Sequence, residues 1–91
     1  MKVVVNRCFG GFGLSEAAYA ELGIPWDGYG FEFRDDEKRC DPALVACVEK
    51  LGEAANGQCA KLRVVEVPDD IDWQIEEYDG SEHVAEKHRT W

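Results

Sequence analysis

The sequence predicts an α+β fold: a small mixed, mostly antiparallel sheet with two helices on one face. Three observations lead there. Val3-Val4-Val5 is a β-branched run of the buried-strand kind, and Ser15 is a helix N-cap ahead of Glu16 to Leu22. Asp41-Pro42 opens a second helix, whose apolar residues Leu44, Val45, Val48 and Leu51 recur at three- and four-residue spacing. The last third alternates apolar and polar residues on both sides of Asp79-Gly80, a type I′ hairpin signal.

Taken in order, the first helix should stop at Gly23, and Ile24-Pro25 forces an extended exit. Trp26-Asp27-Gly28-Tyr29-Gly30 is a turn-rich aromatic segment. It leads into Phe31-Glu32-Phe33-Arg34, where alternation predicts a second strand. Asp35 to Arg39 is polar and loop-like, and the second helix then runs from Pro42 to about Gly52, with Glu53-Ala54-Ala55 able to prolong it by a turn. Leu62 to Val67 is a third strand, closed by Pro68. Ile71, Trp73 and Ile75 share one face of a fourth, and Glu82 to Trp91 should return antiparallel to it, with Glu82, Val84, Glu86 and His88 on one face.

At 91 residues, 45% hydrophobic and 11% aromatic, the chain is expected to form a single domain, 1–91, with one modest core. It lacks a long apolar run and a signal-peptide pattern, so a cytoplasmic protein without membrane contact is expected. The cysteines Cys8, Cys40, Cys47 and Cys59 have no C-x-x-C spacing, which favours free thiols over a zinc site with His83 or His88. No cofactor motif is present: the glycine loop fits neither a P-loop nor a dinucleotide fingerprint. The net charge is −9, and residues 66–86 hold nine acids and no Lys or Arg. That sign excludes generic nucleic-acid binding. It suits either a solvated face or an acidic patch, Glu66 to Glu86, for a basic host protein.

The candidate site is the corner between the first strand and the first helix. Asn6 and Arg7 are polar groups at the strand's end, and Phe9, Gly10, Gly11, Phe12 and Gly13 bring the main chain and two flat rings to the helix cap at Ser15. Glycine amides and an arginine suit phosphate, and the rings suit a base. His88 and Arg89 join this cluster if the last strand lies beside the first. The competing reading is a tight turn in which glycines supply positive φ and the phenylalanines fill core. Trp26 and Tyr29 are further candidates for stacking on a ring. Catalysis has thin support, because Glu82, Glu86 and His88 on one strand do not converge and Cys8 has no evident base.

The segment Asn6-Arg7-Cys8-Phe9-Gly10-Gly11-Phe12-Gly13-Leu14-Ser15 resembles the opening of a family of short proteins encoded by phages and prophages. Val67 to Trp73, Tyr78-Asp79-Gly80 and His88-Arg89-Thr90-Trp91 are similar to that family's close. The resemblance covers most of the chain and implies a phage setting, with action in the host cytoplasm. A broader likeness in size and residue types is to phage anti-defence sponges, such as the anti-Thoeris sponges, which sequester cyclic nucleotide or cyclic ADP-ribose signals. No sponge contact residue is carried over. The expected function is non-catalytic capture of a phosphorylated nucleotide-like molecule by a homo-oligomer. The alternative is an acidic protein–protein inhibitor.

Overall fold

β1 (Lys2–Asn6) runs through the middle of the molecule, and its three valines are fully buried. The computed structural model of the chain describes residues 1–86. β1 pairs antiparallel with β2 (Leu62–Glu66), Lys2 opposite Glu66 and Asn6 opposite Leu62. β3 (Trp73–Tyr78) and β4 (Ser81–Glu86) form a second antiparallel pair, Trp73 opposite Glu86. Among the described residues the strands therefore make two small sheets. α1 (Glu16–Leu22) and α2 (Pro42–Leu51) pack with Val4, Leu62 and Val64, while the β3–β4 hairpin packs with Val3, Val5 and Val65. The fold is α+β, with both helices on one face of the β1–β2 pair and the hairpin on the other. This layering explains the unbroken valine run, since a strand covered on both faces has no polar side.

The helix ends follow local chemistry. Ser15 Oγ accepts from Ala18 N at 3.1 Å, and Gly23 closes α1 in the left-handed region at φ 74°. Asp41 accepts from Ala43 N at 2.8 Å, with Pro42 in the first turn of α2. α1 has only seven residues, too few to persist alone, so burial of Ala18 and Tyr19 in the shared helix core holds it in place. Asp79 and Gly80 both have positive φ, 50° and 91°, as the two-residue hairpin requires.

Two expectations are corrected. Phe31 to Arg34 is not a strand but a turn: Asp27 draws the Tyr29, Gly30 and Phe31 amides onto its carboxylate, so they are lost to any ladder. β3 begins at Trp73 rather than Ile71, although Ile71, Trp73 and Ile75 do pack together beneath β1. The residues from 87 onward, which include His88 and Arg89, lie outside the described residues.

The second edge of β1 shows why there are two sheets. The alternating amides of Val4 and Asn6 face away from β2, and no strand receives them. Val4 N donates instead to Arg39 O at 2.9 Å, and Asn6 N donates to Glu82 Oε1 at 2.8 Å. Arg39 Nη1 returns a bond to Val4 O at 3.3 Å. The guanidinium grips Glu82 with both nitrogens, Nη1 to Oε1 at 2.7 Å and Nη2 to Oε2 at 2.8 Å. Its Nε donates to Phe33 O at 2.9 Å, and its carbon lies 3.7 Å from the Phe12 ring centroid. Arg39 and Glu82 are 2% and 5% exposed, so this is a buried, bidentate pair standing where a third strand would.

Candidate functional site

The loop that leaves β1 is tied down from inside. Asn6 is fully buried, and its Nδ2 donates to Cys8 O at 2.6 Å and Gly80 O at 2.7 Å. Its Oδ1 accepts from Cys8 N at 3.2 Å and Lys61 N at 2.8 Å. Both amide hydrogens and both lone pairs are thereby used, which leaves Asn6 nothing for a ligand. Ser15 is likewise committed, donating from Oγ to Ala54 O at 2.5 Å while capping α1. The hairpin turn presses on this loop: a Cβ on Gly80 would come within 2.5 Å of Gly11 N and 2.6 Å of Phe9 O.

The predicted residues part company at this point. Phe12 turns inward beneath Arg39 and is 4% exposed, whereas Phe9 points to solvent at 70% exposure. Arg7 is exposed and lines a separate cavity of about 230 Å³ with Val65, Val67, Ile71, His83 and Val84, on the hairpin side of the sheet. Gly10, Gly11, Phe12 and Gly13 stay together and line their own cavity, also about 230 Å³, without Arg7. Its other walls are Tyr29 and Phe31, with Gly28, Gln58 and Cys59 completing it. Among the described residues the Gly10, Phe12 and Gly13 amides meet no acceptor.

Asp27 builds the aromatic wall. Its carboxylate accepts from Tyr29 N at 2.7 Å, Gly30 N at 2.5 Å, Phe31 N at 3.2 Å and Tyr19 Oη at 2.7 Å. The Gly30 amide, with the other three donors, holds the Asp27 carboxyl down to about 2. Burial pushes the Tyr19 hydroxyl up to about 12, and Tyr19 Oη also accepts from Glu32 N at 2.9 Å. So fixed, Tyr29 and Phe31 stack with centroids 5.9 Å apart and planes 17° from parallel. Tyr29 remains 74% exposed. Trp26, in contrast, sets its edge against Tyr19 at 5.0 Å and is not among the lining residues. Arg34 lies over Phe31, 4.6 Å from guanidinium carbon to ring centroid, and places a cation behind the wall.

No Asp, Glu or His lines this cavity, although the chain carries −9 overall. A larger depression of about 660 Å³ beside Trp73 is lined by Arg34 together with Asp35, Asp36 and Glu37, three acids to one cation and so a net sign that disfavours an anion. Among the described residues no group of three or more His, Cys, Asp or Glu is placed to hold a metal ion, and all four cysteines are free thiols. No described helix is long and apolar enough to cross a membrane. Sequence reasoning missed Phe31, Arg34, Gln58 and Cys59 as neighbours of the loop. The available signal was Asp27 followed by Gly28 and Gly30, a carboxylate ready to gather amides. Set against family models, curated proteins and solved structures, the chain matches none.

Proposed function

We propose that this is a non-catalytic, phage-type binding protein that captures a small phosphorylated, nucleotide-like molecule at the glycine-loop cavity. One observation carries the reading: in a strongly acidic protein, a recess free of carboxylates is lined by a stacked Tyr29–Phe31 pair and by Gly10 to Gly13, three of whose amides meet no acceptor among the described residues. A ring enters against Tyr29, the amides of Gly10, Phe12 and Gly13 meet its acceptors or a phosphate, and Arg34 supplies the positive field. The volume of about 230 Å³ falls below the roughly 300–1,000 Å³ of drug-sized sites, so one base or one phosphorylated sugar fits rather than a whole dinucleotide. No acid or histidine lines the recess to act as a base beside its Cys59 thiol or Tyr29 hydroxyl, which favours retention over turnover. In a phage setting, such capture withdraws a signal nucleotide from the host cytoplasm.

Isothermal titration with mononucleotides, cyclic nucleotides and ADP-ribose derivatives tests this directly. Heat from at least one of them, abolished or weakened by Tyr29→Ala, is the expected result. Silence across the panel overturns it.

A second reading has its own support. Of the nine acids in residues 66–86, eight are exposed and only Glu82 is buried, so the hairpin offers a dense negative face to a basic protein. Such a complex should weaken steeply with salt and fail on charge reversal of Asp69, Asp70 and Asp72. Tyr29→Ala would leave it intact.

A further inference from the structure

We infer that the outer edge of β2 is the contact between two copies of this chain, with Val65 facing the partner's Val65 across a two-fold axis. The ladder fixes which groups point outward. Arg7 N donates to Lys61 O at 2.8 Å and Val67 N to Met1 O at 2.7 Å, so the odd-numbered amides of β2 face β1. Leu62, Val64 and Glu66 therefore direct their amides away from it. Leu62 N is already held by Asn56 Oδ1 at 2.9 Å, while Val64 N and Glu66 N meet no acceptor among the described residues.

Antiparallel pairing with Val65 on the axis sets Val64 opposite the partner's Glu66, and Glu66 opposite the partner's Val64. Both free amides on each copy then bond, giving a closed, isologous set. The same register sets Leu62, whose donor is spent, opposite the partner's Pro68, which has none. It also sets Lys61 opposite the partner's Asp69; both are exposed, and the Asp69 carboxylate, which already meets its own Met1 ammonium at 2.7 Å, would be shared between the two cations. Val65 and Val67 belong to the apolar part of the recess that also holds Ile71 and Val84, beside Arg7 and His83, so joining the two Val65 side chains covers one flank of it.

The other edges are ill suited to self-association. Ile75 N, on the outer side of β3, is blocked by Asp36 Oδ2 at 3.1 Å. Pairing β3 or β4 with itself would also crowd Glu76, Glu77 and Glu86 in a stretch without cations. β2 is flanked by Lys61 and Arg63 at one end and by Glu66 and Asp69 at the other, so two antiparallel copies are charge-complementary.

Sedimentation velocity on the full chain, from low to high micromolar concentration, tests the proposal. The wild type is expected to dimerise. Glu66→Pro removes an outward amide without touching the β1 ladder and, with two of four bonds lost, weakens association roughly tenfold or more while circular dichroism is kept. Lys61→Asp weakens it a few-fold, and adding Asp69→Lys restores it. A monomeric wild type, a dimer indifferent to Glu66→Pro, or a charge swap that fails to restore association each overturns the proposal. Should Glu66→Pro not fold, the charge pair decides alone.

Discussion

Asp27 and Glu82 each gather several donors onto one carboxylate, but from very different distances along the chain. Asp27 takes three amides and a hydroxyl, all within eight residues of itself and all neutral. Glu82 takes a guanidinium 43 residues away and an amide 76 residues away, and it is buried with a full charge opposite. The first shapes a loop and leaves its product, the Tyr29–Phe31 wall, open to solvent. The second joins two layers and leaves nothing open. A hub made from neighbours can thus present a site, whereas a hub made from distant segments is consumed in holding the fold.

Removing the distant hub should do the most damage. Glu82→Ala strands the Arg39 guanidinium in the core and is expected to lower stability by about 3–5 kcal/mol, out of the roughly 5–15 kcal/mol of a small domain. Urea denaturation reads this, and Arg39→Met combined with Glu82→Leu should recover only part of the loss, because the Asn6 amide and the Val4 and Phe33 carbonyls also lose their partners. The local hub's product is tested by Tyr29→Ala, which should cost about 1–3 kcal/mol of ligand affinity in calorimetry with the urea midpoint unmoved. If both variants unfold the protein alike, the contrast between the hubs fails.

Acid titration separates them further. The Asp27 carboxyl sits at about 2 in the fold against a reference of 3.8, so its contribution is fully present above about 3.8 and is lost as pH falls through about 2. In a background carrying Trp73→Phe and Trp91→Phe, Trp26 fluorescence, sensing Tyr19 beside it, should report a steeper loss over that window with Asp27 present than with Asp27→Asn. The smallest effect is reserved for Gly13→Ala. Its added methyl would meet Phe31 and Gly57 at 3.9 Å, ordinary contact, so stability should stay within about 0.5 kcal/mol. Ligand affinity should still drop, because the methyl enters the recess.

Much of this was readable in advance because its causes are local. Ser15, Gly23, Asp41-Pro42 and Asp79-Gly80 each mark a boundary through a neighbour or two, and the structure places caps or turns at all of them. Phe31 to Arg34 misled because two-residue alternation matters less than the competing carboxylate four residues upstream of Phe31. Arg39 sat in a run of charged residues and looked solvated; its partner lies in a strand whose pairing no local pattern reveals. Glu82 gave one hint, sharing a strand face with Val84, which packs into the hairpin-side core. Asn6 and Ser15 had the right chemistry for a ligand, but buried main-chain groups claimed it first.

The grip between residues 39 and 82 also bears on synthesis and turnover. A ribosome delivers the cation long before its anion, so the helical half must wait, incompletely closed, for the hairpin to emerge. A protease cutting between Val67 and Asp72 in the finished molecule would leave the anion-bearing arm held by its non-covalent contacts alone. One nick in that connector is therefore expected to make the stability of the whole molecule depend on dilution, since the arm, once it leaves, must return from solution.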